Sequence, residues 1–282
     1  MIALELHDRP QAVASVVLIP GWAGVRRDMR ALVERLPEFR VAVVDLPGQG
    51  DSPPPARWDL TSIAGDLQET VERHGVWPAH VLGFCSGAVW ALEIARQWPD
   101  RVEHLFLLEP FDRVPWYFRW FLWPRIGPRA FAMAMQSPRF VGWLDAVLRI
   151  RQPGAASFTR SFQTISAEIA LNYLRLFSRF DGGARYRKIS HPIHLICGSR
   201  TFRQVRRAVQ RLHRLWPNST VHVLPGLGHL SLVSGASAIA NVLRSCLGVP
   251  SGPDVSIRTA ELWAAAAGES QRDGAIHREP AG

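Results

Sequence analysis

The chain has 282 residues, 47% of them hydrophobic and 20% charged, and it reads as ordinary globular protein with apolar material for one large domain or two small ones. Its formal net charge of +9 comes almost wholly from arginine, Lys188 being the only lysine. No nucleic-acid motif accompanies those arginines, so nucleic acid is excluded as a partner, while an anionic membrane or a phosphate-bearing substrate stays open. Cys85, Cys197 and Cys246 are odd in number and too widely spaced for a disulfide framework or a CxxC metal site.

The opening MIALELHDRP has neither the basic start nor the apolar run of a secretion signal, which predicts a cytoplasmic protein. Apolar runs of strand length then recur at residues 14–20 (ASVVLIP), 40–46 (RVAVVDL), 80–84 (HVLGF), 102–108 (VEHLFLL), 192–197 (PIHLIC) and 220–224 (TVHVL). Val, Ile and Leu fill both alternating positions, as in strands buried on both faces. Between them, residues 27–36, 60–74, 86–98 and 205–216 place apolar side chains at three-to-four spacing, the pattern of crossover helices on a parallel sheet. The predicted fold class is α/β, a mostly parallel central sheet with helices on both faces. Residues 111–188, dense in Trp, Phe and Arg with proline breaks, are expected to form a helical cap over the sheet's carboxyl edge. That leaves residues 1–110 and 189–248 as the core and 249–282 as a tail predicted to be disordered.

The chemistry centres on Gly83-Phe84-Cys85-Ser86-Gly87, which follows a buried strand and opens a helix. A nucleophile on such a turn sits in strained backbone, so the residues two before and two after it must be small. Gly83 and Gly87 flank Cys85 at that distance, whereas Ser86 has Phe84 and Ala88; the spacing selects the thiol. The helix start also aims backbone N–H groups and the positive end of its dipole at this position. Cys197, in a strand-like run, and Cys246, in a helical one, read as small buried filler.

With three further motifs, this elbow makes the chain resemble the α/β-hydrolase superfamily over residues 12–248. Asp45-Leu-Pro-Gly-Gln-Gly-Asp-Ser52 is similar to that family's structural D-x-x-G-x-G-x-S turn. Pro20-Gly21-Trp22-Ala23-Gly24 resembles its His-Gly oxyanion loop, with proline where histidine is usual. The resemblance implies an oxyanion hole made by the backbone N–H groups of Trp22 and Ser86. Gly226-Leu-Gly-His229 resembles the turn carrying the family's catalytic histidine, which implies His229 as the general base for Cys85.

The third member departs from the family's commonest pattern. The loop after residues 192–197 reads Gly198-Ser-Arg-Thr-Phe202, with Thr201 where an aspartate is expected, and threonine cannot hold an imidazolium by charge. Haloalkane dehalogenases draw this acid from the end of the preceding strand, in a segment similar to Leu107-Leu-Glu-Pro-Phe111, and Glu109 fits that place. It follows an apolar run in which an unpaired carboxylate is costly to bury. The order Cys85, Glu109, His229 repeats nucleophile, acid, histidine. Three alternatives stay open: Glu109 paired with a cap arginine, Asp112 as the acid, and a Cys85–His229 dyad.

Such a site implies acyl transfer through a Cys85 acyl-enzyme: hydrolysis of an ester or thioester, with an acyltransferase as an alternative. The missing aspartate keeps a second class open, a catalytically silent protein binding a lipophilic or acyl ligand. In the run WYFRWFLW at 116–123, Trp116, Phe118 and Trp120 are candidate pocket residues. Arg119, Arg125 and Arg129 beside them suit an acyl chain with an anionic head or carrier, such as an acyl thioester or lipid, or a peripheral membrane contact. The same arginines interrupt the apolar run short of the ~18 residues a spanning helix needs. The ten histidines lack the paired spacing of a zinc site, so no metal or other cofactor is expected.

Overall fold

The computed structural model describes residues 1–139, 165–180, 183–229, 232–250 and 258–259. Its centre is a sheet of β1 (Leu4–His7), β2 (Ser15–Ile19), β3 (Arg40–Val44), β4 (Ala79–Phe84), β5 (Val102–Leu108), β6 (Ile193–Gly198), β7 (Thr220–Leu224) and β8 (Arg258–Thr259). The spatial order is β1-β3-β2-β4-β5-β6-β7-β8. Strands β2 to β7 run parallel, and β1 and β8 pair antiparallel at the two edges. The six runs read as strands from the sequence all form, because each is buried on both faces.

Period two divides each strand between two cores. Val17, Ala42, Leu105 and Leu195 face one core, while Val16, Val41, Phe106 and Ile196 face the other. The helices are α1 (Arg30–Val33), α2 (Leu60–Arg73), α3 (Gly87–Gln97), α4 (Gly127–Phe131), α5 (Ala167–Ser178), α6 (Arg203–Leu215) and α7 (Ala236–Leu247). The first core is covered by α2, α3, α5 and α6, the second by α1 and α7. Asp59 starts α2 by accepting from the Ser62 N–H at 2.8 Å, and Ile63, Leu67 and Val71 then fall on one stripe against the sheet.

One helix expected from the sequence is corrected. Residues 27–36, read as one helix, form a 3-10 turn (Arg26–Met29) and the single turn α1. Arg26 explains the interruption: its N–H donates to Asp45 Oδ1 at 2.7 Å and its guanidinium pairs with Asp45 and Asp51, which pins the chain before a long helix starts. The expected tail contains β8, whose Arg258 and Thr259 pair with Val223 and His222 of β7; residues 251–257 and 260–282 lie outside the described residues.

Between β5 and β6 come a 3-10 helix (Trp116–Leu122), α4 and α5, and residues 140–164 of the expected cap lie outside the described residues. This segment shares the main core. Tyr173 and Phe177 of α5 pack on Trp90 of α3 with ring centroids 6.0 Å away in both pairs. Glu93 of α3, fully buried, accepts from the Tyr186 hydroxyl at 2.8 Å and from Arg185 at 3.2 Å, which stitches the far end of the segment to the same helix.

Candidate active site

Sheet topology makes the cleft. The chain leaves β2 toward β3 on one side and β4 toward β5 on the other, so the loops beyond these two neighbouring strands diverge. Open parallel sheets bind ligands at that switch point. One of the two loops is residues 20–24; the other is the bend at Cys85. Cys85 has φ +52°, a left-handed conformation that costs a non-glycine residue on the order of 1–3 kcal/mol. Its N–H donates to the Leu108 carbonyl at 2.8 Å, and its own carbonyl accepts from Ala88 in the first turn of α3 at 3.2 Å. A Cβ on Gly83 would stand 2.5 Å from Ala88 N, and one on Gly87 would collide with the Ile19 carbonyl. The bend leaves the Cys85 thiol partly exposed. Ser86 is 1% exposed, and its Oγ has no hydrogen-bond partner among the described residues.

Glu109 forms a second bend, also with φ +52°, its N–H bonded to the Ile196 carbonyl at 2.7 Å. Its buried carboxylate accepts from His229 Nδ1 at 2.9 Å, from the Gly198 N–H at 2.5 Å and from the Thr201 hydroxyl. Cys85 acts on the His229 ring from nearby, and Nε2 is the nitrogen left to face it once Nδ1 is given to Glu109. Burial pulls the His229 pKa down, but the bonds to Cys85 and Glu109 and the charges of both outweigh it and raise it to about 10. Phe84 and Phe202 flank the ring at 5.8 Å and 5.3 Å. The gap among Phe84, Glu109 and His229 is about 10 Å³, room for one water at most, so the ion pair is shielded.

Of the alternatives open in the sequence, Asp112 is engaged by Arg211, whose Nη2 lies 2.8 Å from Oδ1, and Glu109 meets His229 rather than an arginine. Thr201 has a part that sequence reasoning missed. It stands at the aspartate's address and turns its hydroxyl on the displaced acid, so it orients Glu109 instead of replacing it. The available signal was the combination of a hydroxyl where the acid is absent and a carboxylate at the end of the neighbouring strand. Asp45 is structural, accepting from the N–H groups of Arg26 and Asp51.

The loop 20–24 lies against the elbow: a Cβ on Gly21 would stand 3.2 Å from Cys85 Cβ. The indole of the next residue, Trp22, donates from Nε1 to the Ala170 carbonyl of α5 at 3.1 Å and meets the Phe118 ring at 5.8 Å. Phe118 therefore comes to the cleft, whereas Trp116 and Trp120 stand 71% and 60% exposed on the outer face with Arg119, Arg125 and Arg129. A 3-10 helix repeats every three residues, so Phe118 and Phe121 share one side while Tyr117 and Trp120 share another.

Known proteins share this architecture. The family model described as alpha/beta hydrolase fold matches residues 14–236. Over 249 residues the chain is 27% identical to the pimeloyl-[acyl-carrier protein] methyl ester esterase of Neisseria meningitidis serogroup B (strain MC58), covering 85% of this chain and 95% of the relative. The protein of the same name from Methylococcus capsulatus is 45% identical over 94 residues, 33% of this chain and 35% of the relative. Among solved structures, the enol-lactonase of Burkholderia xenovorans LB400 has a TM-score of 0.68 over 88% of this chain and 96% of its own, at 16% identity. A thermophilic esterase of Thermogutta terrifontis has 0.69 over 88% and 93%, at 20% identity. At such identities the likeness is one of fold. Among the described residues no helix is long and apolar enough to cross a membrane.

Proposed function

The chain belongs to the alpha/beta hydrolase fold family, and from that premise we propose that it hydrolyses acyl esters through a thioester formed on Cys85. What supports the reading most is the His229 ring hydrogen-bonded to Glu109 with Cys85 acting on it from nearby, the thiol and the acid each held at a strained bend. With its pKa raised, His229 holds on Nε2 the proton drawn from the thiol, and Sγ attacks the substrate's carbonyl carbon. The N–H groups of Trp22 and Ser86 hold the carbonyl oxygen as it gains charge. Collapse breaks the carbon–oxygen ester bond, and the imidazolium gives its proton to the departing alkoxide. Water then loses a proton to His229 and attacks the thioester, releasing the carboxylic acid and returning the proton to sulfur. Glu109 keeps Nδ1 protonated throughout, so that Nε2 faces the sulfur, and its charge supports the imidazolium in both halves of the cycle.

In this reading residues 111–188 act as the cap, with Phe118 beside Trp22 at the entrance. The relatives named as pimeloyl-[acyl-carrier protein] methyl ester esterases support an ester whose acyl part rides on an acyl-carrier protein. The exposed Arg119, Arg125 and Arg129 among Trp116 and Trp120 offer such a carrier both charge and apolar area. p-Nitrophenyl esters of increasing acyl length test the reaction. The parent is expected to release nitrophenolate, Cys85→Ala not to, and iodoacetamide to block the parent by labelling Cys85. An inert parent with an unlabelled Cys85 overturns the hydrolase and favours a ligand-binding protein; turnover only with an added acyl acceptor favours transfer.

A further inference from the structure

The strands that carry the site at their carboxyl ends carry a second polar cluster near their amino ends. His80, His104, His194 and His222 occupy the second or third residue of β4, β5, β6 and β7. Each stands two residues before a side chain of the core under α7, namely Leu82, Phe106, Ile196 and Leu224, so the strand period brings all four imidazoles to that one face. Cys246 of α7 packs against the same face.

His222 Nε2 lies 3.5 Å from His194 Nδ1 and 3.7 Å from Cys246 Sγ, and one donor atom from each of the three side chains lies within 4.8 Å of the other two. A tetrahedral ion with bonds of about 2.0–2.1 Å to nitrogen and about 2.3 Å to sulfur sets two nitrogens about 3.3 Å apart and a nitrogen and sulfur about 3.6 Å apart. Two of the three edges are therefore already close to coordination length. The other nitrogen of His194, Nε2, is 3.1 Å from His104 Nδ1, and the two rings stack at 5.4 Å. With the Nε2 proton given to His104, the Nδ1 lone pair is directed at His222 and Cys246; a ligating histidine is normally held by such an outer partner. His194 and His222 are 7% and 5% exposed, and His222 Nδ1 finds no hydrogen-bond partner among the described residues. A cleft of about 650 Å³ lined by His80, Glu103, His104 and Cys246 brings solvent to the sulfur.

We propose that His194, His222 and Cys246 form a metal site of the zinc class, taking one borderline-soft divalent transition ion through two imidazole nitrogens and a thiolate, with the fourth position open to the cleft. Imidazole with thiolate selects such an ion over magnesium or calcium. Binding forms the metal–sulfur bond and releases the thiol proton to solvent. The ion would tie α7 to β6 and β7, and the site is independent of the chemistry at Cys85. It runs against the expectation from histidine spacing, because the ligands come from three elements that only sheet register and helix packing bring together.

Titration of the chelator-stripped full chain with Co²⁺ tests this. One equivalent is expected to produce tetrahedral visible bands and a sulfur-to-cobalt charge-transfer band, displaced by Zn²⁺, and to protect Cys246 from alkylation. Cys246→Ser should abolish the charge-transfer band, while Cys85→Ala and Cys197→Ala keep it. His194→Gln and His222→Gln should weaken binding at least about 100-fold, and His104→Phe about 10-fold, as loss of an outer partner does. A folded parent showing neither band nor protection, or a charge-transfer band that survives in Cys246→Ser, overturns the proposal and leaves a packed histidine cluster with an S–H···N contact.

Discussion

The two ends of β4 to β7 hold imidazoles in opposite electrostatic settings. At the carboxyl end, His229 has the Glu109 carboxylate on one nitrogen and Cys85 beside the ring, and its pKa rises despite burial. At the amino end, His104, His194 and His222 meet mainly one another, and burial lowers all three. Glu103, half-exposed, lies 3.3 Å from His80 at the rim, where burial still holds that ring's pKa down. Burial acts in the same direction at both ends, so it is the neighbouring carboxylate and sulfur, not depth, that raise the pKa of one imidazole. The others are left with neutral lone pairs.

The comparison is broken most severely at Cys85. Cys85→Ala should lower ester turnover at least about 10⁴-fold, measured as kcat/KM, because the nucleophile and its base act as a unit. Glu109→Gln gives the carboxyl-end imidazole an uncharged neighbour and should cost about 10²-fold in kcat with KM little changed, less than in a serine enzyme because a thiol leans less on the acid. Adding Thr201→Asp to that variant restores a carboxylate from the neighbouring loop and should recover about tenfold.

Stability against pH separates the two ends by sign. His194 is lowered to about 4 from 6.5, so the folded state binds its proton less readily than the unfolded chain does. Its contribution is present above pH 6.5 and lost as pH falls through about 4. His229 is raised, so its contribution is full below pH 6.5 and lost as pH rises through about 10. Urea unfolding of the chelated protein should therefore weaken on both limbs. His194→Gln should flatten the acid limb by about 3 kcal/mol, and His229→Gln should flatten the alkaline one. The smallest effect belongs to Thr201→Val, which removes one donor from Glu109 and should lower kcat about tenfold, the worth of roughly one hydrogen bond to a charged group.

The parallel strands were legible because runs such as 40–46 and 102–108 are apolar at both alternating positions. β1 was not, since Leu4–His7 is a half-buried edge strand, and β8 is two residues held by pairing with β7. The elbow was legible because steric need at Gly83 and Gly87 is local and writes itself into the sequence. Thr201 and the histidine cluster were not: Thr201 meets Glu109 across 92 residues and His104 meets His194 across 90, and only strand register closes such distances. Trp22 was read for its backbone, and that its indole also binds α5 depended on a helix 148 residues away. Among the candidate pocket aromatics, that Phe118 meets Trp22 while Trp116 and Trp120 stand exposed turns on a three-residue helical repeat that composition does not reveal.

Rapid-quench mass spectrometry during turnover of a slowly deacylated p-nitrophenyl ester addresses the central claim most directly. A covalent acyl group of the substrate's mass on the peptide containing Cys85, sensitive to hydroxylamine and formed at the rate of the nitrophenolate burst, is the predicted result. Steady turnover with that peptide unmodified, or with the acyl group mapped to Ser86, would contradict it.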